Sequence, residues 1–151
     1  GAGHHLQRML RRAAGLLDKM SRNGRMSNAE AQLYKLDLYV LTRKVRKYRP
    51  VEMKMATCYE PMPMVVPARR SLKRLEKRMP LLEKLARQKK LHNKVVQKIL
   101  AGVRKEAQVA AVAKNQKRMK SDEIARAKKV AARAKRLADK IARRLNNKKA
   151  R

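Results

Sequence analysis

Lysine and arginine are the side chains whose number and spacing in this chain could do chemistry, and that chemistry is phosphate binding. Residues 69–151 hold 30 Lys/Arg against 6 Asp/Glu, which is +24 of a formal +32, and contain no Phe, Trp or Tyr. Residues 1–68 hold 13 basic and 5 acidic side chains, a net +8. A chain of this charge density repels itself when compact, and a dense polyanion would neutralise it. Without aromatic rings the basic half cannot stack on unpaired bases, so the expected ligand is a phosphate backbone read by charge and shape. Solubility does not require such an excess, since a net charge of about 2–8 in magnitude suffices for a small domain. Arginine and lysine are nearly balanced, 21 and 22, so bidentate phosphate contacts and simple neutralisation are both available.

The candidate phosphate-binding residues fall in clusters along the chain. Arg43, Lys44, Arg46, Lys47 and Arg49 close a helical stretch, where basic residues also complement the helix dipole. Arg69, Arg70, Lys73, Arg74, Lys77 and Arg78 open the basic half, followed by Lys89 and Lys90 and then by Lys117, Arg118 and Lys120. In the final stretch Arg126, Lys129, Arg133, Arg136, Lys140 and Arg144 line one side of a helix. Leu33, Leu36 and Val40, with Met53, Met55, Met62 and Met64, are the candidate protein-docking residues, methionine being an adaptable apolar contact.

Other chemistry is missing from the pattern. The chain has no GxGxxG, no Walker loop, no HExxH and no Ser/His/Asp grouping. Its eleven acids mostly lie within three or four residues of a Lys or Arg and read as partners on the same helix surface. His92 is the one histidine in a helical context and reads as a packed side chain; His4 and His5 support no site. Cys58 stands alone, so no intrachain disulfide or cysteine-rich zinc site forms. No run approaches the roughly 20 apolar residues that span a bilayer. Sheet-based RNA-binding modules need clustered aromatics, whereas Tyr34, Tyr39, Tyr48 and Tyr59 are the only ones here and read as packing residues. The expectation is therefore a non-enzyme with no cofactor, no metal and no small-molecule substrate.

The elements that must position the basic residues are helical, and the fold class expected is mainly α. Leu6, Met9, Leu10, Ala13, Leu16, Leu17 and Met20 recur at spacings of three and four, predicting a helix over 5–22. The run 4–17 (HHLQRMLRRAAGLL) is amphipathic and acid-free, as mitochondrial transit peptides are, but its pattern continues past Asp18 as a first helix would. Asn23-Gly24 stops that helix, and Ser27-Asn-Ala-Glu30 reads as a capping box opening a second one to about residue 48. The second helix carries two apolar stripes: Ala29, Leu33, Leu36 and Val40, then Tyr34, Leu38, Leu41, Val45 and Tyr48. The two helices make a hairpin over 1–49. Pro50, Pro61, Pro63 and Pro67 preclude a helix over 50–67, which reads as an extended Met/Pro-rich arm or linker.

From Ala68 the pattern is helical to the end. Leu72, Leu75 and Met79 precede Pro80, where a kink or restart is expected, and Leu82, Leu85, Val96, Ile99 and Val103 then share a face, with His92 among them. A break is expected near 115–121, with Ser121-Asp122-Glu123 as a fresh N-terminus. Ala127, Ala131, Ala134, Ala138, Ile141 and Leu145 form the small apolar side of the last helix. Residues 68–151 thus read as a basic helical extension without an independent core, reaching about 100 Å if continuous over 81–145 and ordered by its partner.

In this organisation the chain resembles ribosomal proteins that pair a small anchor with long basic extensions threaded between rRNA helices. It is also similar to the basic helical tails of nucleolar ribosome-assembly factors, and its arm over 49–61 followed by basic helices resembles one small-subunit assembly family. The resemblance lies in organisation and transfers no residue role. It implies a structural rRNA-binding component of a ribosome or ribosome-assembly particle, bridging structured RNA to neighbouring proteins, with nucleolus and mitochondrion both compatible. The alternatives are a DNA-compacting chromatin-type protein, although proline is absent after Pro80, and an amphipathic-helix module for a protein or an anionic membrane surface.

Overall fold

The first helix ends where the sequence changes its backbone rules. Gly24 has φ +72°, the left-handed conformation that costs glycine little. Around it the Arg25 amide donates to the Met20 carbonyl at 2.9 Å and the Gly24 amide to the Ser21 carbonyl at 3.2 Å, the paired bonds of a Schellman motif. The next helix starts with a reciprocal cap: the Glu30 amide donates to Ser27 Oγ and the Ser27 amide to Glu30 Oε1, both at 3.1 Å. Met26 and Ala31, the positions of a hydrophobic staple, are both buried. The expected capping box and glycine stop are therefore present.

The computed structural model describes residues 2–47 and 68–149, with side chains over 4–41 and 68–147. Five α-helices and a short 3-10 turn at Ala113–Asn115 make up the described residues, without strands, so the protein is mainly α. They are α1 (Ala2–Arg22), α2 (Asn28–Lys47), α3 (Ala68–Arg87), α4 (Asn93–Ala111) and α5 (Ser121–Lys149). Two units are distinguished, Gly1–Met64 and Val65–Arg151. The arm expected over 50–67, with Met53, Met55, Met62 and Met64, lies outside the described residues, as do Arg49 and Tyr48.

In the first unit α1 and α2 pack as a hairpin, with Leu17, Met26, Ala29, Ala31 and Leu33 buried and Asp18 paired to Lys35 across the two helices. Leu33, expected on a docking surface, is 1% exposed and belongs to the interior; Leu36 and Val40 are half-buried. The large apolar side chains left outside are Leu6, Met9, Leu16, Tyr39 and Leu41, the most exposed being Tyr39 at 67% and Leu16 at 60%.

The second unit corrects the expectation of a rod without a core. α3, α4 and α5 pack on one another as an up-down-up bundle in which α3 and α5 run parallel and α4 antiparallel to both. Its interior holds Leu72, Leu75, Leu82 and Leu85 from α3 and Val96, Ile99 and Val103 from α4, all at most 1% exposed. From α5 it receives Ala127, Ala131, Ala134, Ala138, Ile141 and Leu145. These follow a four-three spacing that keeps one seam facing inward, and their small side chains let α5 approach the leucines of α3 closely. The apolar stripe folds back on itself because it is interrupted. Continuing the spacing of α3 past Ala86 would call for apolar residues where Lys89, Lys90 and Asn93 stand. The chain turns there, between α3 and α4, a break not expected from proline or glycine signals. His92 takes the N-cap position of α4, with extended backbone at φ −90° and ψ 103°, instead of joining the apolar face.

The second turn was expected and its chemistry is visible. Gln116, 4% exposed, donates from Nε2 to the Ala110 carbonyl at 2.7 Å, and Asn115 donates from Nδ2 to the Val109 carbonyl at 3.1 Å. These amides occupy carbonyls that the end of α4 would leave without partners. α5 then opens with Asp122 and Glu123 in its first turn, favourable at the positive end of the dipole. α3 runs through Pro80 without restarting; the proline stands on the exposed side, where the carbonyl it deprives of an amide can meet solvent.

The core account predicts that Leu82→Ala, which empties a site that is 0% exposed, destabilises the chain by about 2–5 kcal/mol. A urea titration followed by far-UV circular dichroism measures this as a fall in the midpoint. An unchanged midpoint would mean that Leu82 has no core to leave.

Candidate nucleic-acid interface

The few carboxylates of the basic half are placed between helices. Arg69 meets Glu123 in a forked contact, Nε to Oε2 at 2.8 Å and Nη2 to Oε1 at 3.2 Å, joining α3 to α5. Along the same seam Arg126 reaches Glu76 at 3.2 Å and Arg133 pairs with Glu83. Arg74 reaches Glu106 at 3.3 Å between α3 and α4, and Arg104 reaches Asp139 at 3.0 Å between α4 and α5. Among the described residues of this unit, Asp122 is the one carboxylate outside these pairs. The reading of the acids as partners within one helix is thus corrected: here they link positions 32–54 residues apart. Every cation in these inter-helix pairs is an arginine, whose rigid fork holds a carboxylate with less loss of freedom than a lysine.

Pairs this exposed, with the Arg126 and Arg133 side chains 57% and 60% accessible, contribute about 0–1 kcal/mol each. Their larger effect is on register, because each acid meets an arginine only when the helices are correctly aligned. The Arg74–Glu106 pair is less accessible, at 16% and 17%. Beside it Arg78 is 3% exposed and donates to the Arg74 carbonyl at 3.0 Å.

Arg144 is a further structural arginine. Its guanidinium, half-buried, donates to the carbonyls of Leu85, Ala86 and Gln88, the last acceptors of α3 and the turn beyond. A side chain from α5 thereby caps the C-terminus of α3, where four carbonyls lack intrahelical partners and positive charge is favoured.

The candidate residues consequently separate into two groups. Arg69, Arg74, Arg126, Arg133 and Arg144 bind the bundle to itself, and Arg78 is buried with a hydrogen bond inside α3. Arg70, Lys73 and Lys77, with Lys84, form an exposed ridge along α3, and Lys129, Arg136 and Lys140, with Arg143, form another along α5. No carboxylate pairs with either ridge among the described residues. The two ridges flank the α3/α5 seam, and each spans about 21 Å at 1.5 Å per residue. Lys117, Arg118 and Lys120 lie exposed on the α4–α5 connection, at the end of the bundle where α3 begins; Arg69 Nη2 donates to the Arg118 carbonyl at 3.2 Å. Lys89 and Lys90 are exposed at the opposite end. Arg43, Lys44, Arg46 and Lys47 lie in the last turns of α2, and their side chains are outside the described residues.

Lys84 and Arg143 were missing from the sequence-derived set, although their register with Lys77 and with Arg136 and Lys140 was available. The arrangement can neutralise phosphates at fixed spacings, and no group of three or more His, Cys, Asp or Glu that could hold a metal exists among the described residues. No described helix is long and apolar enough to cross a membrane. Compared with protein-family models, with curated proteins and with solved structures, the chain gives no match.

Two predictions follow the division of labour. Arg144→Ala should lower the urea midpoint by the equivalent of about 1–3 kcal/mol, since several carbonyls lose a charged donor, while Arg136→Ala should leave it within about 0.5 kcal/mol. Equal effects would remove the distinction between capping and solvent arginines. The second concerns acid. The forked contact with Arg69, mainly its hydrogen bond, holds the Glu123 carboxyl below the ordinary carboxylate range. A depressed folded-state value means that the stabilisation is complete above the unfolded pKa of about 4.3 and is lost as pH falls through the lower folded value. Thermal melts from pH 7 to pH 2 should therefore show stability falling below about pH 4.3, with Glu123→Gln flattening that fall; an identical acid profile for the variant would contradict the assignment.

Proposed function

We propose that the protein is a structural RNA-binding component of a large ribonucleoprotein, a ribosome or ribosome-assembly particle. The observation that carries this reading is the pair of ridges: eight exposed cations on α3 and α5 that form no ion pair with a carboxylate of the described residues. Cations arrayed on folded helices and left unpaired repel one another, and a phosphate backbone relieves that repulsion while releasing its own condensed counterions. The absence of aromatic residues from 69–151 supports contact with phosphates over base stacking. In the first unit, the exposed Met9, Leu16, Tyr39 and Leu41 support contact between the hairpin and a neighbouring protein of the particle.

The same charge would suit duplex DNA, and a chromatin-type role is the second reading; the ridges themselves favour neither sugar. Filter binding of the purified chain to a structured rRNA fragment between 50 and 200 mM salt tests the function. The expected result is an affinity that falls by about 10³–10⁵, together with release of the protein from its cellular complex by RNase and not by DNase. A salt-insensitive affinity, or release by DNase alone, would overturn the proposal.

A further inference from the structure

We infer that the α3/α5 face takes double-stranded RNA, with one ridge on each strand, and does not distinguish base sequence. The inference rests on the RNA-binding reading and adds to it the form of the RNA. Three observations lead to it. The two ridges belong to parallel neighbouring helices, held in register by Arg69–Glu123, Arg126–Glu76 and Arg133–Glu83 along the seam. Each ridge is long enough, at about 21 Å, to follow one strand through several phosphates. The side chains on this face that reach solvent are cations, alanines, a proline, Asp122, Asn147 and the seam glutamates, with no ring on which an unpaired base could stack.

Separation decides between one strand and two. Packed helix axes lie about 8–10 Å apart, and ridges pointing away from a shared core diverge further than their axes. Successive phosphates of one strand advance only about 3.4 Å along a duplex. A single strand following one ridge therefore leaves the other ridge empty, whereas a duplex presents a second phosphate row across its groove. The seam carboxylates, lying between the ridges, face the groove and not the phosphate rows. A rigid bundle suits this task because its charges are spaced before the partner arrives, so little ordering cost accompanies binding.

Fluorescence anisotropy of the full chain with a 5′-labelled RNA hairpin of about 20 base pairs and with an unstructured strand of the same length tests the inference, the size being chosen so that the stem exceeds the ridge length. Three variants are compared with the parent: Ala at Arg70, Lys73, Lys77 and Lys84; Ala at Lys129, Arg136, Lys140 and Arg143; and, on the far helix, Ala at the exposed Lys94, Lys98 and Lys105. Alanine favours helix, and circular dichroism checks that each variant keeps its helicity. The expected result is a hairpin affinity at least tenfold above that of the strand. Either ridge variant should lose that preference and flatten the salt slope by up to about 3.6, at about 0.9 for each of four phosphate contacts, while the α4 variant retains it. Equal binding of hairpin and strand, or an α4 variant as impaired as the ridge variants, would overturn the duplex assignment while leaving RNA binding intact. Failure of the parent to bind either RNA would sink the functional reading beneath it.

Discussion

The arginine–carboxylate pair across a helix seam is the interaction on which this architecture depends. Over residues 69–151 the sequence holds 30 positive charges against 6 negative ones, and the placement of those few acids decides whether helices so alike can find one arrangement. Glu76, Glu83 and Glu123 tie α5 to α3, Glu106 ties α3 to α4, and Asp139 ties α5 to α4. A shift of one turn would set Arg69 against Arg126 in one direction and Glu76 against Glu123 in the other. Like charges that meet at a seam disfavour such registers, which is how weak surface pairs can still help to specify a fold. Lysines, whose long stems and hydrated heads are poorly suited to such forks, are left to the solvent ridges.

Attraction in the bundle comes from a modest core. Leucines of α3 and the valines and isoleucine of α4 surround a column of alanines on α5, and the close approach these alanines permit substitutes for the aromatic bulk that the sequence lacks. A unit of this size with an alanine-rich seam buries limited apolar area, so its stability is expected to be modest. Devices at the ends therefore matter. Arg144 covers the carbonyls that end α3, and Asn115 and Gln116 cover those that end α4. An arginine that reads as one more phosphate ligand by its register with Lys140 is in fact spent on closing a neighbouring helix.

Local chemistry was the legible part of the sequence. The Ser27/Glu30 cap, the Gly24 stop, the start at Ala68, the break before Ser121 and the inward alanine column all follow from rules that act within a few residues. What escaped was long-range. The turn between α3 and α4 carries neither glycine nor proline; its signal is the lapse of the apolar spacing at Lys89, Lys90 and Asn93, which one-helix reasoning passes over. Without that turn the apolar stripe has nothing to face, so the core went unseen. The acids were misread for the same reason. Glu76, Glu83 and Asp139 each have a basic residue within three or four positions, and nothing local distinguishes those neighbours from the arginines some 35–50 residues away that the acids meet. Sorting Arg126, Arg133 and Arg144 from Lys129, Arg136 and Lys140 needed the position of α3.

The binding surface proposed here is a consequence of folding, since ridges exist only once three helices have packed. Amide hydrogen exchange on the chain, alone and with the RNA hairpin, measures this most directly. The account predicts slow exchange at buried positions of α3, α4 and α5 in the free chain, with little further slowing when RNA is added. Free-chain amides of α3, α4 and α5 exchanging at unfolded rates, and protected only with RNA, would show that the partner builds the bundle and would contradict the account.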